Sequence, residues 1–393
     1  MQPARARWPG LSARLTRACA AGQVAAPCAV VDVDAFDRNA ATLVGRAHGR
    51  PIRIATKSLR CRALIERALA LPGWRGLMCY SVEEALTWAR AGHSDVLVAY
   101  PSVDRVALAD LAASPELRGA VTVMVDSVDH LDLLASLPGH HGLRVAIDVD
   151  ASLRLGPAHF GARRSPLRTA QDVAVLVAAA QDRELAVVGL MFYDAQIAGV
   201  PDEPVSLRPL KVRSHRELVT RRAEIVAATR SLTDLGFVNG GGTGSLHLTG
   251  EDPSLTELAA GSGLYAPTLF DGYKGLELEP AAFFALPVVR RPRRDMVTAY
   301  AGGYVASGPP GWSRVPTPLP DQGLHLLRTE GTGEVQTPLK GPGAARLALG
   351  DPVWFRHAKA GELAERFREL VLVSGDGVLG TEPTYRGEGH CFG

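Results

Sequence analysis

The sequence predicts an α/β fold: a (β/α)8 barrel of the TIM type followed by a β-rich C-terminal domain. Three observations carry that expectation. Short β-branched runs alternate with helix-length amphipathic stretches from about residue 50 to 265. Eight such units in series need a parallel sheet with crossover helices, and their number matches barrel closure. After Pro280 the helical periodicity thins and short β-like runs take over.

The elements follow in order. Residues 1–27 form an N-terminal helical segment, with Leu11 and Leu15 on one side and Arg5, Arg7, Arg14 and Arg17 among them. It lacks the apolar core of a secretory signal. The barrel is assigned to 28–280. Its strands are read at Ile52–Ala55, Gly76–Tyr80, Asp95–Tyr100, Ala120–Val125, Leu143–Val149, Val187–Tyr193, Phe237–Asn239 and, more weakly, Leu258–Ala260. Helices are expected over Ser58–Leu71, Ser81–Ala91, Ser127–Leu137 and Lys211–Leu235. Ser81 with Glu84 has the spacing of a capping box, and Ser127 reads as an N-cap. An open doubly wound sheet competes with the barrel, but no G-x-G-x-x-G follows the first strand. The β-rich domain is assigned to 281–393, with runs at Phe283–Val289, Met296–Tyr300, Leu324–Thr329, Glu334–Thr337, Val353–Phe355 and Leu370–Val373. Cys28–Val33 precedes the barrel and is a candidate to pair with that domain.

Composition excludes several classes. Hydrophobic residues make up 46% and charged residues 21% of 393 positions, so the chain is globular rather than disordered. A net charge of +2 gives no reason to expect nucleic acid as a partner. No apolar run reaches the length of a membrane span. The five cysteines are scattered, without C-x-x-C, which fits reduced thiols and a cytoplasmic location.

Two places could carry chemistry. Lys57 closes the first strand, and catalytic groups of a barrel gather at the C-terminal ends of strands. An amine partly desolvated there becomes a better nucleophile toward a carbonyl. Position alone also suits a solvated lysine that opens a helix. The second place is Asn239-Gly240-Gly241-Gly242-Thr243-Gly244-Ser245, after the seventh strand. Its glycines let backbone N–H groups converge on an oxyanion, as does Gly261-Ser262-Gly263-Leu264-Tyr265 after the eighth. Each alone is a glycine-rich turn. Together, after strands seven and eight, they favour a phosphate cradle.

On these residues the chain resembles the fold-type III pyridoxal phosphate enzymes: alanine racemases, D-threonine aldolases and D-serine dehydratases. Thr56-Lys57 matches the motif after strand one. Asp148 to Gly156, ending Arg154-Leu155-Gly156, matches the strand-five signature, and Gly189-Leu190-Met191-Phe192-Tyr193 that of strand six. The resemblance implies an alanine racemase N-terminal type of barrel and pyridoxal 5'-phosphate bound through Lys57. It implies Arg154 at the cofactor's phenolic oxygen and Tyr193 in contact with the cofactor. It implies Gly242, Thr243, Gly244 and Ser245 at the phosphate, helped by Gly263 and Tyr265. It also implies a homodimer and a small amino acid substrate.

The second domain refines the resemblance. Thr256 to Gly261 is similar to the Thr-Glu-x-Arg-Pro-Gly of the aldolases and dehydratases, and Phe355 to Glu362 resembles a bacterial amino acid deaminase/aldolase subgroup. The implied activity is that of a lyase acting on D-amino acids with a β-hydroxyl group, by aldol cleavage or deamination. Two departures stand out. Ala259 replaces an arginine near the pyridine nitrogen, and Glu257 is the candidate substitute. The family's metal pair is broken: His357 is kept as a catalytic and metal-ligand candidate, but Lys359 stands in place of the second ligand. A protonated lysine is a poor ligand. Either a divalent metal is held with Glu362, or with His390 and Cys391, or Lys359 supplies the positive charge as a catalytic residue. A racemase remains an alternative, with Tyr300 or Tyr304 from a partner subunit as the second base. So does a non-catalytic cofactor carrier, against which the extra domain argues.

Overall fold

The computed structural model describes residues 8–202 and 205–393. Eight parallel strands close into a barrel: Ile52–Ala55, Trp74–Cys79, Val96–Val98, Val121–Val125, Arg144–Asp148, Ala186–Phe192, Phe237–Gly240 and Glu257–Ala260. Closure is made by the eighth strand on the first, with Leu258 opposite Ile52. All eight expected strands are present, within a few residues of the expected ends.

The period of two along each strand sorts the side chains. Ile52 and Ile54 face outward, in a cluster with the helix residues Leu64, Ile65 and Ala68. The alternate residues turn inward. Met78, Leu97, Ala99, Met124, Ala146, Met191, Phe237 and Ala259 fill the barrel interior. Alanines at Ala55, Ala99 and Ala259 keep the upper layer shallow, which leaves room above it at the C-terminal ends of the strands.

The helices depart from expectation in definable ways. The helix expected over Ser58–Leu71 is a 3-10 turn, Thr56–Ser58, then an α-helix, Arg62–Leu69. Arg60 breaks the run with φ 49°, a conformation no α-helix continues through. The expected Lys211–Leu235 helix is Arg208–Arg230, with Pro209 in its first turn. Ser81 caps its helix through the Glu84 N–H at 3.2 Å. Glu84 itself accepts from the Tyr80 N–H at 2.8 Å, one residue before the cap, so the reciprocal box is not closed.

The second domain is a nine-stranded sheet. Its spine is the long strand Ala282–Arg293, which pairs antiparallel with Cys28–Asp32, Pro352–Arg356 and Met296–Tyr300 along its length. Cys28–Asp32 also runs parallel to Glu369–Ser374. The chain therefore lays down a strand of the second sheet before it enters the barrel, which ties the two parts together. The strand expected over Leu324–Thr329 shrinks to His325–Leu326, and that over Glu334–Thr337 becomes Gln336–Lys340. The strand Gly377–Pro383 was not read from the sequence, because two glycines and a proline mask it. Among the described residues no helix is long and apolar enough to cross a membrane.

Candidate active site

A cavity of about 460 Å³ opens at the C-terminal ends of the barrel strands. Its floor is Ala55, Met78, Ala99, Met191 and Ala259. The first-strand side carries Lys57. The Thr56 hydroxyl donates to the Met78 carbonyl at 3.0 Å and so fixes the strand end from which Lys57 departs. Lys57 Nζ is hydrogen-bonded to the Tyr100 hydroxyl. Arg164 lies over the rings of Tyr100 and Tyr193, 5.4 and 5.3 Å from their centroids. Burial raises the Tyr100 pKa, but the adjacent Lys57 and Arg164 cations outweigh it and bring the phenol below its usual value. Tyr193, buried beside Asp194, is pushed up to about 12.

The glycine-rich loops form the opposite wall, where Gly241, Gly242, Thr243, Gly261 and Ser262 line the cavity. Ser245 is fully buried and accepts the Gly242 N–H at 3.1 Å, shaping the loop from behind. Thr243 Oγ1 accepts the Gly263 N–H at 3.2 Å and sits 3.3 Å from Ser262 Oγ, which joins the two loops. Glycine is required here. A Cβ on Gly244 would lie 2.3 Å from the Tyr273 ring, and one on Gly263 2.6 Å from Thr243. Tyr265 stands behind the wall, its hydroxyl donating to the Leu59 carbonyl at 3.2 Å.

The second domain closes the mouth with Ser307, Arg314, Lys359 and Glu362. Lys359 Nζ donates to Ser307 Oγ at 3.1 Å, and the Ser307 N–H donates to Glu362 at 3.1 Å. Gly361, at φ 94°, presses on the first strand so closely that a Cβ would sit 2.5 Å from the Lys57 carbonyl oxygen. Arg60 clamps the same loop through an ion pair to Glu365. Burial, Arg314 and Lys57 all lower the Lys359 pKa from its usual value.

Of the residues singled out in the sequence, Lys57, Tyr193, Gly242, Thr243 and Lys359 line one cavity; Gly244, Ser245, Gly263 and Tyr265 stand directly behind its wall. Others are elsewhere. Arg154 is on a hairpin, Leu153–Leu155 with Ala158–Phe160, and pairs with Asp150 at 2.7 Å. Arg164, ten positions on in the same excursion, reaches the cavity instead. His357 lies outside the cavity wall, wholly buried and edge-on to Tyr265 with centroids 6.1 Å apart. Burial and neighbouring Arg356 push its pKa down to about 3. Glu257 is one layer below Ala259, where it accepts from Arg53 at 2.7 Å and from Asn239 at 2.8 Å. It is neutralised there and does not line the cavity. Tyr300 is exposed, and Tyr304 packs against Phe284 and Phe367; neither lines this chain's cavity.

The candidate metal donors weighed from the sequence are not brought together among the described residues. His357 does not face the cavity, and His390 and Cys391 are not grouped with it. Among the described residues, the one group with metal-ligand spacing is His140, His141 and Glu184. It lies just before the fifth and sixth strands, at the far end of the barrel.

Tyr100, Arg164, Ser307 and Arg314 were not singled out from the sequence. Tyr100 ends a barrel strand, so the rule that found Lys57 would have found it. Nothing local marks the other three, because loops bring them to the cavity.

The alanine racemase N-terminal domain model matches residues 31–266. A D-threonine aldolase of Arthrobacter sp is 29% identical over 293 residues, 71% of this chain and 72% of that one. A 3-hydroxy-D-aspartate aldolase of Paracoccus denitrificans is 30% identical over 244 residues, 61% of this chain and 60% of that one. The crystal structure of a D-threonine aldolase from Filomicrobium marinum superposes with a TM-score of 0.78 at 25% identity, covering 93% of this chain and 96% of that one. A match over most of the barrel, with relatives that extend it into the second domain, shows the family: the chain belongs to the alanine racemase N-terminal domain family.

Proposed function

We propose that the protein is a pyridoxal phosphate-dependent lyase that cleaves D-amino acids bearing a β-hydroxyl group. The observation that carries this reading is one cavity holding a strand-end lysine, a two-loop glycine cradle and a lysine from the second domain. The relatives named aldolase support it.

The residues fit the cofactor. Thr243 and Gly244 are buried residues whose backbone N–H groups donate no hydrogen bond among the described residues, which suits a phosphate. Lys57 Nζ faces the same cavity and would hold the aldehyde carbon. Tyr100 and Arg164, next to Lys57, suit the phenolic oxygen. When bound, the cofactor supplies a sink for the electron pair left at Cα. The donor set does not fit a divalent metal at the β-hydroxyl, and no step is assigned to one.

Lys359 is the group we assign to the β-hydroxyl. Its lowered pKa makes the neutral amine more available as a base. In aldol cleavage Lys359 takes the hydroxyl proton as Cα–Cβ breaks, the aldehyde leaves, and Lys57 returns a proton to Cα to give glycine. Gly361 and the Arg60–Glu365 pair hold the Lys359 loop over Lys57. A racemase needs a second base opposite Lys57, to be supplied by a partner subunit; the relatives named above, both aldolases, favour the lyase. A simple carrier would have no use for six cavity residues from a second domain.

The test is the absorbance of the purified protein with added cofactor, beside Lys57→Ala. The expected result is a visible band that borohydride abolishes and that the variant lacks, with D-threonine yielding glycine and acetaldehyde. A keto acid and ammonia would assign deamination instead. No band in excess cofactor would end the reading.

A further inference from the structure

The cavity wall is strongly cationic. It carries Lys57, Arg60, Arg164, Arg314 and Lys359 against one carboxylate, Glu362. Four of the five cations have work within the chain. Lys57 meets Tyr100, Arg60 pairs with Glu365, Arg164 covers two tyrosine rings, and Lys359 donates to Ser307. Arg314 is different. It forms no ion pair among the described residues, and its Nε is buried without a hydrogen-bond partner. The residue is only half-buried, and its terminal nitrogens make no hydrogen bond among the described residues, so they are free to take an acceptor from outside the chain.

The loop is built to present it. Arg314 lies flat on the turn at Gly308, where φ is 117° and a Cβ would sit 2.8 Å from its Nε. The Arg314 carbonyl accepts the Ala306 N–H at 2.7 Å, which closes the loop around Ser307. Ser307 in turn holds Lys359. Arg314 therefore stands on the Lys359 side of the cavity, next to the group assigned to the substrate's β-carbon. Arg164, over Tyr100 and beside Lys57, is on the opposite, Cα side of the cavity.

We infer that Arg314 binds a second carboxylate, carried by the substrate's side chain, and so selects acidic β-hydroxy amino acids over neutral ones. A planar guanidinium takes a carboxylate through two parallel hydrogen bonds and discriminates sharply against a methyl group in that place. This inference rests on the lyase reading above.

The experiment compares kcat/KM for D-3-hydroxyaspartate and D-threonine on the cofactor-loaded enzyme, for the wild type, Arg314→Gln and Arg314→Lys. The wild type is expected to prefer the acidic substrate at least tenfold. In Arg314→Gln that ratio should fall about 30-fold or more, mainly through KM, and Arg314→Lys should recover part of it. An unchanged ratio in Arg314→Gln, an equal loss on both substrates, or a wild-type preference for D-threonine would overturn the inference. If neither substrate turns over, the change in the cofactor band on adding D-aspartate or D-alanine reads binding directly. Tighter D-aspartate binding that Arg314→Gln abolishes supports the subsite even if the lyase reading fails; equal binding overturns it. Absence of any cofactor band would remove both readings together, and the Lys57→Ala comparison identifies that case.

Discussion

The role proposed for Lys359 follows from its side-chain chemistry. An ammonium cannot ligate a metal, but an amine with a lowered pKa can move a proton. The rate of cleavage should rise with pH along a limb whose pKa lies below the 10.5 of an ordinary lysine. Lys359→Met should abolish that limb and reduce kcat by roughly 10²–10⁴-fold, while the cofactor band persists. A pH–rate profile of both proteins checks this. His357, beside it in sequence, plays the opposite part. Its ring is buried and its pKa falls from 6.5 to about 3. A folded pKa below the unfolded one gives stability that is present above pH 6.5 and is lost as pH falls toward 3. The loss should approach about 3–5 kcal/mol. Denaturant titrations between pH 7 and pH 4 should show it, and His357→Leu should flatten the dependence over that range.

Among the elements, the loop that carries Lys359 matters most. It is held on the first barrel strand by the Gly361 contact with Lys57 and by the Arg60–Glu365 pair. Gly361→Ala adds a Cβ where the Lys57 carbonyl lies 2.5 Å away, and does so at a positive φ. We expect a cost of about 1–3 kcal/mol in stability and a larger proportional loss of kcat, because Lys57 and the proposed base Lys359 are pushed apart. Thermal unfolding beside steady-state kinetics separates the two effects. The strand-five excursion teaches a related lesson. Its Arg-Leu-Gly matched a known pattern, yet the hairpin directs Arg154 to Asp150 and sends Arg164 into the cavity. A motif names a residue type at a position in the chain; the hairpin geometry decides which arginine arrives.

For the whole molecule, the N-terminal helix and the second sheet form a support distinct from the barrel core. Leu15 is fully buried in a cluster with Phe283, Trp354 and Val371, and that cluster shares no residue with the cavity wall. Trp354 donates to Thr16 at 2.9 Å, and Arg14 pairs with Asp32. Leu15→Ala should therefore cost about 2–5 kcal/mol of stability and leave kcat/KM within a factor of two, measured by chemical denaturation and activity at low temperature.

The barrel was legible in the sequence because its signal is local. Burial on both faces of parallel strands demands β-branched runs, and crossover helices demand amphipathic stretches between them. Lys57 and the glycine loops were legible for the same reason, since each lies within a few residues of a strand end. The second sheet was only partly legible. Its strands are short, interrupted by glycine and proline, and one of them comes from before the barrel. What tertiary structure alone decided is the far side of the cavity. Arg314, Ser307 and Lys359 are separated from Lys57 by hundreds of positions, and their spacing carries no period. They meet Lys57 because the strand Cys28–Asp32 anchors the second sheet beside the barrel mouth, an effect of long-range pairing that no local pattern records.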